Sequence, residues 1–198
     1  MQRIEKIKEY YLPKLQHEKS ESKCLGWENE QAQELRFEIL ERVIFPGASI
    51  LDVGCGLGNL YDYLKNREYS FKYTGVDILP QMIEPAKKKN PQAEFICGNL
   101  FCDDLLPDKK FDIVYASGIF NIELGNNDDF LRNALQKFVS LSNKFIVFNL
   151  LHTRSKTKEA GYYYQTPNDV QKLLPQIKNV TFIDDYLDND FSTILEVV

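Results

Sequence analysis

Residues 48–60 read ASILDVGCGLGNL, and the way this stretch breaks decides the fold. Ile50, Leu51 and Val53 form an apolar run of strand length, as expected of a strand buried on both faces of a sheet. Gly54, Gly56 and Gly58 then alternate with other residues, and Leu60 and Leu64 follow at helical spacing. Strand, glycine turn and helix in that order open a nucleotide-binding α/β unit. The glycines allow a tight turn and let a ligand approach bare backbone.

Working outward, residues 71–77 (FKYTGVD), 93–99 (AEFICGN), 111–117 (FDIVYAS) and 144–151 (KFIVFNLL) read as four further strands. Helices are expected over 80–89 and 128–141, whereas 100–110 is too short and too acidic for a packed helix. Thr166, Pro167 and Asp169 read as an N-cap, a first-turn proline and an acidic third position. That helix should reach Leu174 and stop at Pro175. The last two strands, near 179–186 and 191–198, suit an antiparallel hairpin joined by 187–190. Upstream, Ile4, Ile7, Tyr10 and Tyr11 share one face of a short helix over 2–12, which Pro13 should end. A second amphipathic helix spans 28–44, stopped by Pro46-Gly47. The expectation is a helical leader, 1–46, ahead of an α/β domain, 47–198. The domain should be a mainly parallel, seven-stranded sheet with helices on both faces and a reversed last strand.

Composition narrows the function classes. Twenty-nine acidic residues against 24 basic ones leave a net charge of -5, which disfavours a nucleic-acid binder driven by phosphate contacts. No run approaches the roughly 18 apolar residues of a membrane helix, and the N-terminus has no signal-peptide core. Cys24, Cys55, Cys97 and Cys102 form no CxxC pair, and His17 and His152 lie far apart, so no metal site is expected. Reduced thiols in a cytoplasmic protein are the plain reading.

Across 48–198 the chain resembles the class I S-adenosylmethionine-dependent methyltransferases. The matching residues are Asp52-Val-Gly54-Cys-Gly56-Leu-Gly58, then Gly75-Val76-Asp77-Ile78 with Met82, Ile83 and Ala86. Gly98-Asn99 and Phe111-Asp112-Ile113-Val114 complete the series. The spacing agrees: a dinucleotide turn is G-x-G-x-x-G, and Asn59 stands where its last glycine belongs. Asp52 would repel a diphosphate but suits the ammonium of S-adenosylmethionine, directly or through water. Asp77, about 20 residues past the turn, suits the ribose hydroxyls, with a helix N-cap as its structural alternative. The resemblance implies that Asn99, where the family usually has aspartate, accepts from the adenine amino group and that the Leu100 amide meets the ring. A turn asparagine is the other reading of Asn99. Ile78 and Met82 would wall the adenosine, and Gly98 and Ser117 are further cofactor-binding candidates.

Methyl transfer is an in-line displacement, so no catalytic triad is required. The resemblance puts the acceptor beyond the fourth strand, at Ser117-Gly118-Ile119-Phe120-Asn121. That segment lacks both the Asn/Asp-Pro-Pro-Tyr sequence of exocyclic-amine methylases and a cysteine nucleophile, which favours a small-molecule acceptor. Asn121 reads as an acceptor-orienting group or as a turn residue. His152 reads as the one imidazole base or as a hydrogen-bonded structural residue. The resemblance implies that the leader, 1–46, folds over the cofactor as a lid. In it Arg36 reads as a partner for the cofactor's carboxylate or as a surface salt bridge. Trp27, Phe120 and Tyr163 are candidates for the acceptor pocket, Tyr163 with packing at the rim as its alternative. The rival functions are an aminopropyl transferase, a non-catalytic S-adenosylmethionine-binding module and an NAD-dependent oxidoreductase. Oligomeric state is not legible.

Overall fold

In the computed structural model, which describes residues 2–174 and 179–197, three helices precede the sheet. They are α1 (Gln2–His17), α2 (Glu21–Cys24) and α3 (Glu30–Glu41). There follow β1 (Ala48–Val53), α4 (Asn59–Asn66), β2 (Phe71–Asp77), α5 (Pro80–Lys89), β3 (Glu94–Cys97) and β4 (Phe111–Ala116). The chain continues through α6 (Asn127–Leu141), β5 (Ser142–His152), β6 (Tyr164–Gln165), α7 (Pro167–Leu173), β7 (Val180–Ile183) and β8 (Asp190–Glu196).

The strand order is β3-β2-β1-β4-β5-β8-β7, with the two-residue β6 pairing in parallel with the end of β5. Among the described strands only β8 is reversed, lying antiparallel between β5 and β7. Alternation along each strand makes two cores. Leu51, Val53, Val114 and Ala116 pack with Leu131, Leu135 and Phe138 of α6. Ala48, Ile50, Ile113 and Tyr115 pack with Phe37 and Leu40 of α3, Leu64 of α4 and Ile83 of α5. Helices therefore cover both faces, as expected. The chain leaves β1 toward β2 on one side and returns to β4 on the other, so a crevice opens past the ends of β1 and β4.

Three expectations are corrected. Helix α1 does not end at Pro13 but runs through it to His17. Ile7, Tyr11 and Leu15 pack on Leu79 and Met82, and this burial outweighs the hydrogen bond lost at the proline. Strand β6 went unpredicted because two residues carry no periodicity. The final hairpin has a longer connection than 187–190, since β7 ends at Ile183 and β8 begins at Asp190. Pro175 and Val198, the expected stops of α7 and the last strand, lie outside the described residues.

Candidate active site

A cavity of about 490 Å³ fills the crevice. The glycine turn forms one side. Gly54 and Gly56 have φ of +75° and +53°. A Cβ at Gly54 would run into Ile119, and one at Gly56 would lie 2.6 Å from Leu25 Cδ2. Asp77 ends β2 and braces this turn: its Oδ2 accepts from the Gly56 N–H at 3.0 Å and its Oδ1 from the Leu79 N–H at 2.9 Å. Each oxygen retains a lone pair for a ligand hydroxyl. Burial raises the Asp77 carboxyl against the pull of those backbone donors. Asp52, in β1, is 4% exposed and accepts from Tyr73 OH at 2.7 Å. Burial pushes its carboxyl up to about 7 despite that bond. A cation in the cavity would favour its ionised form.

Gly98, Asn99 and Leu100 line the next side, with Ile78 and the buried Met82 between them and the turn. Asn99 is a turn asparagine, since its Oδ1 accepts from the Phe101 N–H at 3.0 Å, yet that oxygen also has a second lone pair. Ser117 and Trp27 stand on the side of β4. The Ser117 Oγ and the Asn59 Oδ1 are buried without a partner among the described residues. Asn59 donates its amide to Gln33 Oε1 at 3.1 Å, and Gln33, buried on α3, also faces the cavity.

Helix α1 closes the remaining side with Arg3, Ile4, Ile7 and Tyr11. Arg3 is the only basic side chain among the described lining residues. It stacks on Phe130 of α6 at 3.2 Å. Tyr10 bonds Tyr162 OH at 2.7 Å, tying α1 to the segment before β6.

This donor set fits S-adenosylmethionine, which carries an ammonium and ribose hydroxyls and no phosphate. A diphosphate would need the N–H groups of the turn, and the Gly56 N–H is already given to Asp77. Comparison with known proteins agrees. A family model described as "Methyltransferase domain" matches residues 50–141. "Putative methyltransferase Rv1506c" of Mycobacterium tuberculosis is 32% identical over 149 residues, 70% of this chain and 86% of that protein. The chain belongs to the methyltransferase family. A sterol 4-C-methyltransferase of Caenorhabditis elegans is 29% identical over 69% of the chain, which spans 42% of that protein. Among solved structures, magnesium protoporphyrin IX methyltransferase from Synechocystis PCC 6803 with bound S-adenosylhomocysteine superposes with a TM-score of 0.69 at 12% identity. That match covers 98% of this chain and 100% of the other. The N-methyltransferase NodS of Bradyrhizobium japonicum WM9 has the same TM-score at 13% identity, covering 96% and 97%. Both share the fold. The methyltransferase takes S-adenosylmethionine as its cofactor.

On the acceptor side, the methyltransferase departs from several expectations. Arg36 is not at the cavity: its Nε and Nη2 bond Asp190 Oδ2 at 3.1 and 2.7 Å, and its Nη1 donates to the Ala32 carbonyl. It is a salt bridge, but a buried one. His152 packs edge-on against Phe191, and its Nδ1 accepts from the Arg154 N–H at 3.0 Å. Burial lowers its pKa, and it does not line the cavity. Phe120 is 1% exposed and packs against Phe130, Phe138 and Phe148, because the turn at Gly118 sends Ile119 into the cavity and Phe120 into the core. Tyr163 is also a core residue, its hydroxyl donating to Asp128. Asn121 sits beside Gly118 without lining the cavity, its Oδ1 buried and unpartnered among the described residues. Trp27 and Ser117 line the cavity. Gln33 and Asn59 were missed, although Gln33 interrupts an apolar helix face and Asn59 breaks the dinucleotide pattern.

Proposed function

We propose that the methyltransferase methylates a small-molecule acceptor that enters between Trp27 and residues 117–122, beneath a lid made by residues 1–46. The cofactor supplies a methyl carbon made electrophilic by the sulfonium. In this reading Asp77 holds the ribose hydroxyls and Asp52 the ammonium, directly or through water. Asn99 Oδ1 and the Leu100 N–H meet the adenine, Ile78 and Met82 flank it, and the Ser117 Oγ offers a hydrogen bond toward the methionine half. The chain's contribution is to hold the acceptor in line and to exclude water. Neither histidine nor lysine lines the cavity among the described residues. The titratable groups that do line it include carboxyls and tyrosines, among them Asp52, Asp77 and Asp129.

The observation that carries the reading is the glycine turn with its amide already bound by Asp77 and a second buried carboxylate, Asp52, beside it. The names of relatives acting on a sterol and a porphyrin support a small-molecule acceptor. Calorimetry should detect S-adenosylmethionine and S-adenosylhomocysteine but not NADH. A panel of amines, thiols, phenols and carboxylates with labelled cofactor should then yield S-adenosylhomocysteine with at least one acceptor. Tight binding without turnover across the panel would instead identify a non-catalytic binding module.

A further inference from the structure

Trp27 and the Gly118 turn form the cavity wall on the acceptor side, and one side chain holds both from behind. Asp190 opens the reversed strand β8 and is 0% exposed. Its Oδ2 accepts from Arg36 Nε and Nη2 and from Asn149 Nδ2 at 2.8 Å, and its Oδ1 from the Tyr186 hydroxyl. Arg36, fixed in this way, lies over the Trp27 ring at 4.4 Å. Asn149 is turned by the same carboxylate so that its Oδ1 accepts from the Gly118 N–H at 2.9 Å. The two arms converge, since a Cβ on Gly118 would lie 3.0 Å from Trp27 Cη2.

Stability alone does not explain this arrangement. A buried ion pair is often matched or exceeded by apolar residues of the same volume. Apolar residues would not orient an amide, however. The two ends of the Asn149 side chain are alike in shape, and the acceptor facing its nitrogen together with the Gly118 N–H facing its oxygen holds one orientation.

We propose that Asp190 is a positioning residue for this wall, fixing the Trp27 ring through Arg36 and the Gly118 amide through Asn149. Calling the wall the acceptor side rests on the methyl-transfer reading, but the bonds do not. The test uses the ligand-free full chain and two local probes. One is the emission of Trp27, the only tryptophan. The other is amide exchange over residues 117–121. In Asp190→Asn the new amide opposes that of Asn149. Exchange over 117–121 should rise about fivefold or more, while β1 and β2 keep their protection. Acrylamide quenching of Trp27 should rise by about twofold as its cation cover loosens. Tyr186→Phe removes one donor to Asp190 and leaves both arms in place. It should move both probes the same way by less, and it carries the test if Asp190→Asn does not fold. A uniform loss of protection across the sheet, or a Trp27 signal unchanged in every folded variant, overturns the proposal. Failure of the methyl-transfer reading would appear separately, as absence of S-adenosylhomocysteine binding.

Discussion

Asp52 makes a prediction about protons. Burial, with the nearby Asp77 charge adding to it, pushes its carboxyl up to about 7 from an ordinary value of 3.8. A raised acid favours the fold most below its unfolded pKa, and that contribution is lost as pH rises through the folded one. The ligand-free protein should therefore lose stability between pH 4 and 7, with Asp77, also raised by burial, adding in the same direction. Binding a cation reverses the preference. Cofactor affinity should rise with pH up to about 7, by at most about tenfold per pH unit for one coupled proton. Calorimetry in two buffers of different ionisation heat should record the released proton, and Asp52→Asn should flatten the dependence. Gly54 makes a second prediction, about backbone. At φ +75° with Ile119 against its missing Cβ, Gly54→Ala should cost about 1–3 kcal/mol of stability, read by denaturant titration, and weaken S-adenosylhomocysteine binding.

At the scale of elements, the residues legible in advance sit at the ends of strands. Asp52, Asp77 and Gly98 to Leu100 follow apolar runs whose burial fixes where they emerge, so spacing alone aims them at one crevice. Loops give no such rule. Phe120 follows Ile119 directly, yet one packs in the core and the other lines the cavity, a choice made by the turn at Gly118. His152 is the last residue of β5, but Phe191 on the reversed strand claims its ring. Helix α1 illustrates a different limit. Periodicity shows that Ile4, Ile7 and Tyr11 are to be buried but not against what, and in the fold they line the cavity. That contact has a consequence for exchange of the ligand. The bond between Tyr10 and Tyr162 closes α1 over the site at 2.7 Å. Losing it in Tyr10→Phe removes about 1 kcal/mol from the closed form, so S-adenosylhomocysteine should leave about fivefold faster by stopped-flow fluorescence.

For the molecule as a whole, the cavity is where both cores meet the helical leader. Its walls come from α1, α3, the turns after β1 and β2, and the segments after β3 and β4. A ligand that spans these walls binds the folded chain and nothing in the unfolded one, so its affinity appears as stability. At a hundredfold excess over its dissociation constant, S-adenosylhomocysteine should contribute about 2.7 kcal/mol. For a chain of this length that corresponds to a rise in Tm of about 5–11 °C. NADH at the same concentration should produce no rise, because the Gly56 amide is committed to Asp77 and the acids at the turn oppose a diphosphate. Differential scanning calorimetry separates these outcomes without any knowledge of the acceptor. A shift with the dinucleotide alone would mean that the two carboxylates at the turn do not govern which ligand it admits.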